Sequence, residues 1–449
     1  MQYEVVVIGA GIGGLAVAAV LARRGVSVCL LERQSYAGGC AAIVEHAGYQ
    51  FEPTHGLYCG WEPGAVFDRL FSELAVPPPR ARAVSKPYVV RLPDGSDVPR
   101  INDPGELEDS LGSAFPECTE AAIEFYRELI AAKPKRAMEY LSPSSVRFRS
   151  FVDSQLQALA QCSSVACGYQ LVADALNPDR AFWEIEGGVQ SLIDALVESF
   201  RHSGGKLRLS SPVLRLAYGS DGSPIGVDLL NGERVVATRA IVSNLTIWDT
   251  YGKLIGPART PRQISSRLKE MKGWGSYQMF LTVGKSAESD LPAGRILVPT
   301  DFGEQDSSEP EGGQLTFYLS SGAEKEAGDN TAVVTAYTDA EDWFSFHEDH
   351  SAFEARDQSM LEEVWRSLHS ALPELGDAVE LIETATPQTC YETTRRRFGM
   401  IGRPRPSASE SLLSTPFPNL KIVGDTVSDA FGIDGVVDSA WCTARKIIA

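Results

Sequence analysis

Near the N-terminus, Gly9, Gly11 and Gly14 stand as G-x-G-x-x-G, with Ile12 and Gly13 between them, directly after the β-branched run Glu4 to Ile8. At such spacing the first glycine allows a tight turn, the second lets backbone come up against a pyrophosphate, and the third lets a following helix lie close on the strand. Leu15 to Arg24 reads as that helix, stopped at Gly25, with its N-terminal amides turned to the phosphates. Val26 to Leu31 reads as a second strand that ends at Glu32, eighteen residues after Gly14. A carboxylate at that place accepts hydrogen bonds from a ribose diol. A glycine-rich structural turn is the alternative, but strand, glycine loop, helix, strand and acid in this order specify dinucleotide binding far more narrowly than the glycines alone.

The residues just past the second strand choose the dinucleotide. Glu32-Arg33 precedes Gly38-Gly39-Cys40-Ala41-Ala42. E-R-x(4)-G-G after such a fingerprint resembles the FAD-binding start shared by amine oxidases, phytoene desaturases, carotenoid isomerases and retinol saturases. The stretch from Gly38 to Gly56 is especially similar to the carotenoid isomerase and retinol saturase pattern, a short hairpin followed by an aromatic and an acid. Phe51-Glu52 stands here where that family usually has Phe-Asp, and Cys40 where many members have arginine or serine. The resemblance extends to the far end of the chain. Leu420 to Val423 reads as a strand leading to Gly424-Asp425, and Asp425 resembles the family carboxylate that binds a ribityl or phosphate-side hydroxyl. Gly432 and Gly435 would let backbone approach a flat ring. A helix starting near Gly435-Val436 would aim its positive end at the pyrimidine edge of a flavin. A third block, from Glu184 to Tyr218, holds Gly187-Gly188, an amphipathic helix, then the strand Lys206 to Leu209, and Val213 matches the family valine whose backbone pairs with adenine. The run from Arg234 reads as the strand that closes this unit, ending at Ser243-Asn244.

The fold implied is α/β: a discontinuous Rossmann-type FAD-binding domain of the GR2 type, from residues 1–60, 181–250 and 415–449. An α+β substrate domain from 61–180 and 251–414 is inserted into it. Glu117 to Ala132 and Phe151 to Cys162 carry apolar residues at helical spacing, whereas 277–284, 295–300, 314–321 and 331–338 read as strands roofing the flavin. Asp301 to Gly313 reads as an exposed loop.

Two further sets of residues could act on a substrate. Arg395, Arg396, Arg397, Arg403 and Arg405 crowd into eleven positions of an acidic chain. They read as a solvated or internally paired face, with the sharper alternative that Arg395, Arg396 or Arg397 holds a substrate carboxylate or phosphate. His55, just past Phe51-Glu52, is the candidate acid or base, against a merely pocket-lining histidine. The resemblance implies an oxidoreductase with non-covalent FAD that forms, saturates or isomerises C=C bonds in a long hydrophobic substrate, a polyene, isoprenoid or unsaturated acid. A flavin amine or amino-acid oxidase is the rival. That class carries an aromatic pair at the ring, where this chain offers Phe431 and no tyrosine. A GDI-like prenyl-binding protein without redox chemistry is the third reading.

Bulk properties narrow the partners. With 449 residues, 43% hydrophobic and 22% charged, the chain suits two or three intertwined domains. A net charge of −18 argues against nucleic acid and anionic lipid. The apolar start is broken by glycines and lacks a basic leader, so at most peripheral membrane contact is expected. Eight scattered cysteines read as free thiols in a reducing cytoplasm, and the histidines, His347 and His350 included, as a solvated turn rather than a metal site.

Overall fold

A computed structural model describes residues 1–300, 313–320, 330–345, 349–405, 414–428 and 432–449. The elements that frame the site are, in chain order, β1 (Gln2–Ile8), α1 (Ile12–Arg23), β2 (Val28–Leu31), α2 (Val146–Ala160), α3 (Gly188–His202), β3 (Lys206–Arg208), β4 (Arg234–Ser243), α4 (Pro387–Thr394), β5 (Leu420–Ile422) and α5 (Gly432–Ile448).

The first sheet has the parallel order β3-β2-β1-β4-β5. An antiparallel pair, Val213–Tyr218 and Pro224–Leu229, joins it along the start of β4. The unbroken apolar run of β1 follows from burial on both faces. Val5 and Val7 pack under α1, α3 and α5, while Val6 and Ile8 face a second cluster with Trp248 and Tyr251. Ile8 lies in register with Leu31 and with Ser243, and Ser243 with Ile422, so four strands end together at one edge. Ligands of such sheets bind outside the carboxyl ends of the strands.

The second sheet runs Val379–Ala385, Lys272–Val283, Asn330–Asp339, Gly313–Ser320, Arg295–Thr300, Val89–Arg91 and Asp97–Pro99, with Ile401–Arg405 also paired to Lys272–Val283. The four runs read as strands in the sequence all lie here, and the hairpin read after Cys40 is Val44–His46 with Tyr49–Phe51. Tyr277, Met279 and Leu281 pack one face against the helix His350–Ala371. α2 packs against the strands Arg295–Thr300 and Gly313–Ser320 of this sheet.

The structure also corrects the sequence reading. α1 begins at Ile12 rather than Leu15, because Gly13 and Gly14 form its first turn. β2 begins at Val28, since the Val26 N–H turns back to the carbonyl of Leu21 and is withdrawn from the sheet. The closing helix is already formed at Gly432, which places Gly435 and Val436 within its first turn and a half. Cys162 and Cys167 are not free thiols: the loop after α2 folds back until their Cα atoms are 5.8 Å apart, and the two are joined as a disulfide. Positions 301–312 of the expected loop, and also His347 and Phe431, lie outside the described residues. Among the described residues no helix is long and apolar enough to cross a membrane.

α1 is the element with least room for change, since Ile12 to Ala22 are all buried between the sheet, α3 and α5. Ala19→Leu should therefore destabilise the protein by about 1–3 kcal/mol, because added methylenes in a filled core force strain. Chemical denaturation reads this as a lower midpoint at unchanged slope; an unchanged midpoint would mean that α1 is loosely packed.

Candidate functional site

At the common edge of the strands, five pieces of backbone converge with almost no side chain between them. The Gly38 N–H donates to Ala10 O at 2.8 Å, which ties the double-glycine turn to the first loop. Gly38 and Gly39 have φ of 118° and 63°, a region where side chains are strained. A Cβ on Gly39 would come within 3.2 Å of the Gly11 Cα, and one on Gly13 within 2.6 Å of the Asn244 side chain and 3.1 Å of Val436. Gly14 packs against the carbonyl of Gly9, so a Cβ there would collide with backbone. Gly11 precedes α1 as its N-cap and offers no side chain to the first-turn amides. Those amides are open to an anion, and the helix dipole favours one.

A cavity of about 590 Å³ begins at this cradle. Gly9, Gly11, Ile12, Gly13, Glu32, Arg33, Gly38, Gly39, Cys40, Ala41, Val213, Gly424, Asp425 and Val436 all line it. Gly14 and Gly435 are buried one step behind its wall. Glu32 is fixed by two backbone donors, Ala10 N to Oε2 and Gln34 N to Oε1, both at 2.8 Å. Each carboxylate oxygen keeps lone pairs toward the cavity, as a ribose diol requires. At the same end the Arg33 guanidinium donates to the carbonyl of Thr393, and Gln34 does the same. A glycine cradle at a helix N-terminus, a fixed carboxylate one strand away and Asp425 across the gap fit FAD.

The arginine cluster is divided by the structure. Arg396 pairs with Asp425 at 2.7 Å and donates from Nε to Met400 O, so it sits in the cofactor cradle. Arg395 also reaches the cavity and lies over the Tyr391 ring. Arg397 instead lies over Phe398, and its N–H donates to Asp249. An acid thus meets Arg396 at the cleft.

Beyond the cradle the cavity becomes apolar, walled by Leu57, Tyr58, Ala158, Leu159, Ala160 and Phe182, with Gln161 and Tyr337. The segment from Pro53 to Cys59 forms one side, and two buried ionic devices hold it there. Glu52 accepts from the hydroxyls of Tyr58 and Thr54. Arg295, from the second sheet, donates to the carbonyls of His55 (2.8 Å) and Gly56 (3.0 Å) while pairing with Glu184 at 2.6 Å. His55 lines the cavity, half-buried, and burial, aided by the Arg295 charge, pushes its imidazole down to about 4. It is therefore neutral at physiological pH and can accept a proton but has none to spare as a cation. A second cavity, of about 1930 Å³, lies behind Tyr36 and Tyr58, which line both.

Two residues escaped the sequence reading. Asn244, read only as the end of a strand, sits under Gly9, Gly11, Gly13 and Gly424 and donates from its own N–H to Ile8 O at 2.9 Å. The signal was its place: the first residue after a strand parallel to β1. Asp434, in the first turn of α5, lines the apolar part and pairs with Arg180 at 2.6 Å. Burial raises its pKa, with Arg180 opposing the rise. An acid inside an otherwise apolar motif was the cue. Among the described residues no three His, Cys, Asp or Glu side chains are grouped to hold a metal, and His350 pairs with Glu354.

Comparison with known proteins bears on this geometry. A family model described as flavin containing amine oxidoreductase matches residues 107–448, and one described as an NAD(P)-binding Rossmann-like domain matches 7–74. Prolycopene isomerase 1, chloroplastic, from an Oncidium hybrid cultivar is 24% identical over 513 residues, covering 100% of this chain and 84% of the relative. Human all-trans-retinol 13,14-reductase is 22% identical over 528 residues, covering 100% and 86%. The solved structure of an oxidoreductase from Methanosarcina mazei superposes with a TM-score of 0.72 at 18% identity, covering 99% of this chain and 100% of that one, a likeness of fold.

Glu32→Gln exchanges a doubly accepting anion for an amide and should weaken FAD binding by about 10- to 100-fold, the worth of one to two kcal/mol-scale hydrogen bonds to a charged group. Fluorescence titration with FAD checks it, and unchanged affinity would remove Glu32 from the site. His55 carries a pH prediction. Its folded pKa lies below the unfolded value of about 6.5, so the unfolded chain binds more protons and stability falls as pH drops from about 6.5 to 4. His55→Phe should lose less stability than the wild type over that window; parallel losses would show that His55 is not buried neutral.

Proposed function

This chain belongs to the flavin containing amine oxidoreductase family, and from that premise we propose that it is an FAD-dependent oxidoreductase that forms, saturates or isomerises C=C bonds in a long hydrophobic substrate of the polyene or isoprenoid kind. The observation that carries the reading is the continuity of one cavity from the glycine cradle to an apolar wall built by the end of α2 and Phe182. The names of the relatives, an isomerase of prolycopene and a reductase of retinol, support the same substrate class.

Bound FAD supplies a two-electron acceptor or donor, so that hydride can leave or join a substrate carbon. The chain's own residues bind, orient and exclude water. We take residues 1–60, 181–250 and 415–449 as the cofactor unit and 61–180 with 251–414 as the substrate unit. Glu32, Gly11 and Asp425 of the first unit hold the cofactor, with Arg396 reaching Asp425 from the second. Val213, which lines the cavity beside Pro212 and Leu214, borders its adenine end. Leu57, Ala158, Leu159 and Phe182 offer a polyene dispersion contact and shed its hydration shell. Arg395 and Arg396 serve the cofactor side, and His55 stands in the cavity wall as a neutral imidazole that can give or accept a hydrogen bond. Asp434, paired to Arg180, places one polar feature in the apolar part.

Anaerobic titration tests the reading. Polyenes or isoprenoids should alter the visible flavin band or, if conversion is redox-neutral, emerge as new geometric isomers by chromatography, while amines leave the band unchanged. Rapid bleaching by amines with no polyene converted would replace this function with amine oxidation.

A further inference from the structure

Six cysteines are free, and two of them stand on elements that pack together. Cys40 sits in the single turn Gly39–Ala41 that follows the double glycine, and its side chain opens into the cofactor cleft. Cys390, on α4, is half-buried behind it. The turn that carries Cys40 packs against α4, where Cys390 sits, and the Arg396–Asp425 pair lines the same cleft as Cys40. Cys390 also lies 3.8 Å from the Thr394 hydroxyl.

We propose that Cys40 and Cys390 form an oxidation site, a dithiol that peroxide entering the cofactor cleft converts into a disulfide tying the double-glycine turn to α4. The two sulfurs have different roles. Cys40 faces the cleft and is the one that peroxide can reach. Its neighbours favour the thiolate: the hydrogen bond from Cys390 comes first, then the Arg396 charge, against burial and Asp425, and together they pull the thiol down to about 7. The same contact, with burial, drives Cys390 well above the usual thiol range, so it stays protonated until a partner forms. A low-pKa, reachable thiol beside a resolving thiol is the arrangement that oxidises selectively.

The step balances. The Cys40 thiolate attacks one oxygen of hydrogen peroxide, the O–O bond breaks, and hydroxide leaves a sulfenic acid. The Cys390 sulfur then attacks the Cys40 sulfur, its proton joins the departing hydroxyl, and water is lost. Overall two thiols and one peroxide give one disulfide and two waters, with peroxide the two-electron oxidant. The substrate of the enzyme plays no part.

Peptide mapping of the full-length protein under non-reducing conditions tests the site, with bound FAD and after flavin removal. After peroxide treatment, a peptide linking Cys40 to Cys390 should appear, separate from the Cys162–Cys167 loop, and vanish with dithiothreitol. C390S should trap Cys40 as a sulfenic acid that dimedone labels. C40S should slow oxidation of Cys390 about tenfold, because only the thiolate is a good nucleophile. Both cysteines remaining open to alkylation, with and without flavin, at a dose that oxidises free glutathione in the same tube would overturn the proposal. So would Cys390 oxidising as fast in C40S as in the wild type.

Discussion

The constraint on which the site depends is steric: five strands of backbone must come together at the sheet edge and still leave a cleft. Gly9 to Gly14, Gly38-Gly39, Asn244, Gly424 and Val436 arrive from sequence positions more than four hundred residues apart. Ordinary side chains at Gly11, Gly13 or Gly39 would collide with Asn244, Val436 or the facing backbone of Gly11 and push these loops apart. Parallel pairing of β1 with β2 and β4, and of β4 with β5, delivers these loops to one edge. Asn244 then ties them, since its backbone holds Ile8 and its amide lies beneath the glycines. The cradle is thus a property of the sheet's register as much as of any motif, and a one-residue slip of β5 would carry Asp425 out of it.

Around this edge partly buried charges serve to fix position. Glu32 is held by two amides, Asp425 by Arg396 and the N–H of Gly402, and the segment carrying His55 by Arg295. A buried ion pair contributes little net stability, and breaking one is costly, so such pairs serve mainly to fix geometry. Ala158, Leu159 and Phe182 give the far wall its apolar surface, with Asp434 neutralised there by Arg180. The chemistry and the apolar substrate are thereby brought together without exposing one to the solvent that the other excludes.

The difference between legible and hidden features is one of range. The glycine fingerprint, Glu32 and the alternating or β-branched strands are encoded within a turn or two of each residue, and they could be read directly. Long-range pairing left weaker marks. Asn244 has no local peculiarity; its role comes from β4 lying beside β1. The arginines after Thr394 look alike in sequence, yet a left-handed turn at Arg395 (φ 60°) sends Arg396 to Asp425 and Arg397 to Phe398. The Cys162–Cys167 link and the packing of the Cys40 turn on α4 both depend on how loops fold back, which spacing alone does not reveal. Helix starts shifted by three residues at Ile12 and Gly432 because glycines that look like breakers are tolerated in a first turn, where Gly13 and Gly14 allow close packing on neighbouring backbone.

The most direct measurement is the nucleotide released when the purified protein is denatured, identified by chromatography and counted against chain. Occupation of the cradle at the edge of β1 predicts one FAD per chain, set free without proteolysis. Recovery of a nicotinamide nucleotide in its place, or of flavin that stays attached to the unfolded polypeptide, would contradict it.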